Sequence, residues 1–164
     1  MATYDYTEGT QAQSATMMSY ASAHSCHVLK RKFNVATVID WNSTLTSNSK
    51  ISSGDVFKVL AIPDDTYVLL MGMKVITAFG ACTDIDLGSG GDPNGWLDAK
   101  DPNGASAGAH FWTDVDEAWG PDNYLGYVYT SADTLDIVFN ADETTGEALI
   151  WAVTFDVADD EGTD

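Results

Sequence analysis

Ala148-Leu149-Ile150-Trp151-Ala152-Val153-Thr154-Phe155-Asp156-Val157 is the stretch on which the fold turns. Successive side chains of an extended strand point to opposite sides, so Leu149, Trp151, Val153, Phe155 and Val157 share one face. No other segment offers so apolar a face, which predicts that this one lines the core. Upstream, Leu135–Asn140 and Tyr124–Tyr129 repeat the β pattern, and the polar turns Ser131–Thr134 and Asp142–Glu147 connect the three segments. Short turns of this kind predict consecutive antiparallel neighbours in a meander, with Leu135, Ile137 and Phe139 packed against the last strand.

The same signature continues toward the N-terminus. Ala81–Leu87 alternates, setting Asp84 and Asp86 on a face directed to solvent or a ligand. Tyr67–Phe79 reads as a long strand with a bulge or bend marked by Gly72 and Gly80. Val56–Ile62 is a β run stopped by the turn Pro63-Asp64-Asp65. In Phe33–Trp41, Phe33, Val35, Thr37, Ile39 and Trp41 fall on one side at period two, predicting the first strand. Residues 88–123 are irregular and contain Asp-Pro-Asn-Gly at 92–95 and again at 101–104. Each matches a type I turn, because Pro pre-sets φ and Asp bonds the backbone ahead of it.

Seven strands, four prolines in turns and no long helix predict an all-β fold, an antiparallel β-sandwich of jelly-roll-like kind over residues 33–157. Residues 1–32 read as an extended N-terminal arm, rich in Ser, Thr, Ala, Gln and Gly, in which Met17, Met18 and Tyr20 form a short apolar group. Residues 158–164 hold four acids and read as a solvated acidic tail.

The chain has 164 residues, with 25 acidic and 7 basic side chains and a net charge of −18. A domain of this size buries roughly 70% of its unfolded surface, enough for a core without metal or disulfide staples. All 7 bases lie in residues 1–100, whereas residues 101–164 hold 15 acids and no base. Nucleic acid and anionic membranes demand phosphate neutralisation by Lys and Arg, so both are excluded as partners. The opening MATYDYTEGT lacks a basic segment followed by an apolar one, and the longest apolar run, Tyr67–Met73, is far short of the ~20 residues of a membrane span. A soluble protein that stays where it is made is expected. Cys26 and Cys82 do not make a disulfide framework and read as small apolar residues.

Chemistry-bearing groups are few. His24-Ser25-Cys26-His27 supplies three soft-metal ligands, but a structural zinc site needs a fourth, for which only Cys82 offers itself, and no CxxC pair or HExxH is present. Asp84, Asp86 and Asp92, with Asp98 and Asp101 nearby, could give oxygens to Ca²⁺, although Asp84 to Gly95 lacks the terminal Glu of an EF-hand loop. Solvated carboxylates are the simpler reading, and no cofactor is expected. Trp96, Trp112 and Trp119 sit in the long loop, where rings stack on sugars, anchor an interface, or fold into a satellite core. Lys30-Arg31-Lys32 is the one basic cluster and suits docking to an acidic surface, although a solvated strand end is the commoner reading. No nucleophile elbow, phosphate loop or dinucleotide fingerprint occurs, so an enzyme is not expected.

An ordered set of segments between Asp55 and Val157 carries a resemblance. Asp55-Val56-Phe57-Lys58-Val59-Leu60-Ala61-Ile62-Pro63 comes first, then Thr83-Asp84-Ile85-Asp86-Leu87-Gly88 leading to Asp92-Pro93-Asn94-Gly95-Trp96-Leu97-Asp98-Ala99. Tyr129-Thr130-Ser131-Ala132-Asp133-Thr134-Leu135-Asp136-Ile137 and the closing apolar strand complete it. In order and spacing the set resembles small virion proteins of tailed bacteriophages, marine and cyanobacterial ones in particular, that decorate or cement the capsid. The likeness covers about two thirds of the chain and omits residues 1–50. It implies a β-sandwich, often trimeric, on the capsid surface, made in the host cytoplasm, with the major capsid protein as partner and no catalytic residues. Met17, Met18, Tyr20, Lys30, Arg31, Lys32, Trp96, Trp112 and Trp119 are then the candidate contacts. A carbohydrate-binding module resting on the three tryptophans is the alternative, and an acidic DNA mimic ranks last because the acids are scattered through turns and strand ends.

Overall fold

A computed structural model describes residues 3–5, 26–46, 49–103, 105–113 and 126–157. Ten strands and one helix follow in chain order. They are β1 (Thr3–Asp5), β2 (His27–Asn34), α1 (Val35–Thr46), β3 (Val56–Ile62), β4 (Thr66–Thr77), β5 (Ile85–Gly88), β6 (Leu97–Lys100), β7 (His110–Trp112), β8 (Tyr127–Tyr129), β9 (Asp133–Phe139) and β10 (Glu147–Asp156). They build two sheets, β1-β3-β9-β5-β6 and β2-β10-β4-β7, with β8 also paired to β4. Every pairing is antiparallel except that of β1 with β3. The fold is the expected all-β sandwich.

Between the sheets lies an aromatic cluster. Phe33 of β2 approaches Phe57 of β3 and Phe139 of β9 at centroid distances of 5.4 and 5.7 Å, and Phe79 approaches Phe139 at 6.1 Å. Leu135, Ile137 and Phe139 are fully buried, as their alternation predicts. The last strand has its faces reversed relative to expectation. On β10 it is Ala148, Ile150 and Ala152 that enter the core, while Leu149, Trp151, Val153 and Phe155 lie on the other side, half-buried, and Val157 beyond the strand is exposed. The physical reason is volume: the bulky rings of the opposing strands fill the interior, and small residues on β10 make room for them.

The expected meander is also absent. β8 pairs with β4, β9 with β3 and β5, and β10 with β4 and β2, so each consecutive strand changes sheet. Short turns therefore serve as corners between the sheets. The 88–123 region contributes β6 and β7, two short strands missed in the sequence.

The expected strand Phe33–Trp41 is divided. β2 ends at Asn34, and Val35–Thr46 is a helix. Asn34 caps it, its Oδ1 accepting the Thr37 N–H at 3.0 Å. Val35, Val38 and Ile39 then meet the core at helical spacing. The period-two pattern arose from β-branched residues that fit either geometry. Of the segment read as an arm, Thr3–Asp5 and His27–Lys32 belong to sheet strands. Met17, Met18, Tyr20 and the tail 158–164 lie outside the described residues.

Gly72 is required by close approach rather than by a bulge. A Cβ there would sit 2.4 Å from the Phe111 carbonyl oxygen and 2.8 Å from Cζ2 of Trp151. The two register shifts between β4 and β10 fall elsewhere, opposite Val153/Thr154 and opposite Glu147/Ala148. Gly88 is equally constrained, since its Cβ would lie 2.1 Å from the Asp92 carbonyl oxygen. That carbonyl accepts N–H bonds from Ser89 at 2.8 Å and Gly95 at 3.3 Å, closing the first Asp-Pro-Asn-Gly turn onto the end of β5.

Candidate functional site

β2 sorts the basic cluster by alternation. Lys30 and Lys32 are exposed, opposite Trp151 and Leu149 of β10, whereas Arg31 is opposite Ile150 and buried. Arg31 is thus removed from the expected docking surface, because a tripeptide in a strand cannot place three side chains on one face. Lys32 forms an ion pair with Glu147 Oε1 at 2.6 Å, and Glu147 Oε2 accepts from Asn34 Nδ2 at 2.6 Å. Lys32 beside it holds the Glu147 carboxyl below the usual range, with Asn34 adding to the effect.

The tryptophans separate likewise. Trp96 is 1% exposed, and its Nε1–H donates to Tyr129 Oη at 3.0 Å. Burial pushes the Tyr129 phenol up, so the phenol stays a neutral acceptor. Trp96 is therefore a core residue, correcting its place among the partner contacts: the tight Asp92–Gly95 turn folds the ring inward. Trp112 is 55% exposed on β7, opposite Gly72. Trp119 lies outside the described residues. A sugar-stacking platform built on all three rings loses Trp96 to the interior.

Of the three carboxylates expected to hold calcium, Asp84 and Asp86 meet on one amide and Asp92 lies apart. Asn140 Nδ2 bridges Asp84 Oδ1 at 2.8 Å and Asp86 Oδ2 at 2.7 Å, and Asp86 Oδ1 accepts the Ala99 N–H at 2.8 Å. Burial raises the Asp86 carboxyl above its ordinary range, and the charges of Asp84 and Asp98 add to that. Asp92 instead belongs to the turn. Among the described residues no group of three or more His, Cys, Asp or Glu could hold a metal ion. The zinc candidates divide similarly: Cys26 is exposed, while the buried Cys82 thiol donates to the Asp84 carbonyl at 3.0 Å and is pushed up by burial. His24 lies outside the described residues.

A carboxylate that sequence reading passed over is the best-held one. Glu143 is 1% exposed; its Oε2 accepts the N–H groups of Ala81 and Cys82 at 2.9 Å, and its Oε1 those of Thr144 and Thr145 at 2.7 and 2.9 Å. Burial pushes this carboxyl up, but the four N–H bonds outweigh it and hold it below its usual range. It clamps the 80–82 turn to the β9–β10 corner. Its role is structural, and nothing in its local sequence announces donors some 60 residues away.

No family model matches the chain, and no curated protein matches it. Solved structures do. One match is a chain in the acid-stable capsid of Helicobacter pylori bacteriophage KHP30, with TM-score 0.53 and 17% identity, covering 80% of this chain and 89% of that one. A second is in the capsid asymmetric unit of cyanophage Pam1, with TM-score 0.54, 15% identity and coverages of 80% and 84%. A third is in the capsid of Ralstonia phage GP4, with TM-score 0.52, 13% identity and again 80% and 84%. At such identities the likeness establishes a shared fold.

Proposed function

We propose that this chain is a non-enzymatic structural protein of a tailed-phage virion, which decorates the capsid and cements it by bridging major capsid protein subunits. One observation carries the reading: the sandwich is shared, over four fifths of its length, with chains from three separate phage capsids. The coverages run from 84% to 89% of those chains, so the matched partners are small domains of similar length to this one. A small domain suits an accessory role on a shell. The segment order that resembles decoration proteins supports the same conclusion, as does the exposed Trp112 beside outward-facing lysines. On this reading the protein is made in the host cytoplasm, assembles as a homotrimer and sits on the capsid exterior. The N-terminal segment 1–32, with Met17, Met18 and Tyr20, contributes attachment.

Mass spectrometry of purified particles and a cryo-electron microscopy map of the shell test the proposal together. The expected result is density for the sandwich on the outer surface, astride contacts between neighbouring capsid subunits. Absence from the particle, or location in the tail alone, overturns it.

A further inference from the structure

The outward side of the β2-β10-β4-β7 sheet is both apolar and basic, on a chain of net charge −18. Its centre is the row Leu149, Trp151, Val153 and Phe155, which stands on β10 opposite the buried Ala148, Ile150 and Ala152. Cross-strand register extends this side in both directions. On β2, Val28 and Lys30 lie opposite Val153 and Trp151, and on β4, Tyr67 and Lys74 lie opposite Phe155 and Leu149. Seven large hydrophobic residues are exposed among the described residues, and four belong here: Val28 (60%), Ile76 (38%), Trp112 (55%) and Val128 (41%). Register places Trp112 opposite Gly72 and Val128 opposite Tyr67, and Ile76 follows the buried Val75 in the bulged end of β4, where the register with β10 shifts. Exposed apolar groups usually occur singly, and their gathering on one sheet face marks a contact surface.

The charges on this side run against those of the molecule. Lys30, Lys32 and Lys74 occupy outward positions, and His110 lies opposite Lys74. The one acid at the outward strand positions, among the described residues, is Glu147, which is ion-paired with Lys32. Lysine stems can lie along apolar surface while their ammonium groups reach a partner.

We propose that this sheet face is the docking surface, and that it receives a surface of the capsid subunit presenting carboxylates among apolar side chains; this deepens the capsid reading and rests on it. Charge complementarity selects the occupant. A second copy docked through the same patch would set lysines against lysines. An acidic patch on a different chain meets Lys30 and Lys74 without that self-repulsion. Trp112 is the aromatic anchor at the rim of the face.

The experiment uses the full chain and capsids assembled without it from the shell protein of the phage that encodes it. Copies bound per capsid are measured against concentration for wild type, the Lys30→Glu/Lys74→Glu double variant, Trp112→Ala and the control Lys58→Glu on the opposite sheet. Circular dichroism confirms folding, and sedimentation of each protein alone records self-association. The double variant and Trp112→Ala are expected to bind about tenfold more weakly or worse, and the control within about twofold of wild type. If wild type binds and both face variants bind equally well, this face is not the docking surface and the capsid reading stands. If the variants dissolve a wild-type oligomer while capsid binding is unchanged, the occupant is a second copy and the proposal is overturned. If wild type does not bind at all, the capsid reading falls, and this inference with it.

Discussion

Glu143 offers four N–H donors a charged acceptor in the interior, and its stability contribution has a definite sign with pH. Its carboxyl is held below its ordinary value of about 4.3, by N–H bonds that outweigh burial. The contribution is therefore present above that ordinary value and lost as pH falls through the lowered folded-state value. Asp142 and Glu147 are also lowered, chiefly by hydrogen bonds from Lys50 and Lys32, and act with the same sign. Asp86 is raised by burial and acts oppositely, stabilising below its unfolded value and losing that contribution as pH rises. Glu143→Gln must turn an NH₂ toward two of the four backbone donors in either orientation. Urea denaturation at pH 7 should show a loss of about 1–3 kcal/mol. As pH falls below about 4.3 the difference from wild type should shrink, because the unfolded chain's carboxyl then takes up a proton that the folded one still resists. A difference that stays constant with pH would mean that the charge is immaterial. Trp96 and Glu143 mark how far single residues are legible: both are defined by partners distant in the chain, Tyr129 and the 80–82 turn, which local pattern does not reveal.

Asn34 governs the junction between β2 and α1. Its Oδ1 accepts the N–H of Thr37 and, at 3.3 Å, its Oγ1, while its Nδ2 holds Glu147 at the start of β10. Asn34→Ala removes the cap and the link together, and thermal or chemical denaturation should register about 1–2 kcal/mol of destabilisation. Asn34→Asp keeps the capping acceptor but sets a carboxylate against Glu147, so it should recover only part of the loss. Equal stability of Asn34→Ala and wild type would show that packing of Val35 and Val38 alone holds the helix. Elements were more legible than their partners. The bounds of β3 match expectation, and β9 and β10 fall within two residues of it. Alternation tells which residues share a face; it does not tell which face is inside. On β10 the richer face is expected within, yet Phe33, Phe57 and Phe139 leave room there for two alanines, one isoleucine and Thr154. Nor could short turns distinguish a hairpin from a corner between sheets.

For the whole molecule, net charge sets the response to salt. A compact body of −18 repels itself more than its expanded chain does, so folding works against Coulomb energy that salt screens. The Debye length falls from roughly 20 Å near 0.02 M to about 4 Å near 0.5 M, shorter than the spacing of most surface charges. The same salt weakens local ion pairs, but those described, Lys32 with Glu147 and Lys50 with Asp142, have solvent-exposed lysines and contribute little. Screening of repulsion should therefore win, and Tm should rise between 0.02 and 0.5 M NaCl. In a chain of this size each kcal/mol gained moves Tm by roughly 2–4 °C, so calorimetry resolves the effect. A flat or falling Tm would mean that the acids are spread too widely to burden the fold. Two of the lysines on the sheet face sharpen this test: Lys30→Glu/Lys74→Glu takes the net charge from −18 to −22, replacing two positive charges by two negative ones. Its Tm should lie below that of wild type at 0.02 M and approach it at 0.5 M, which separates a general charge penalty from a specific structural role for those lysines.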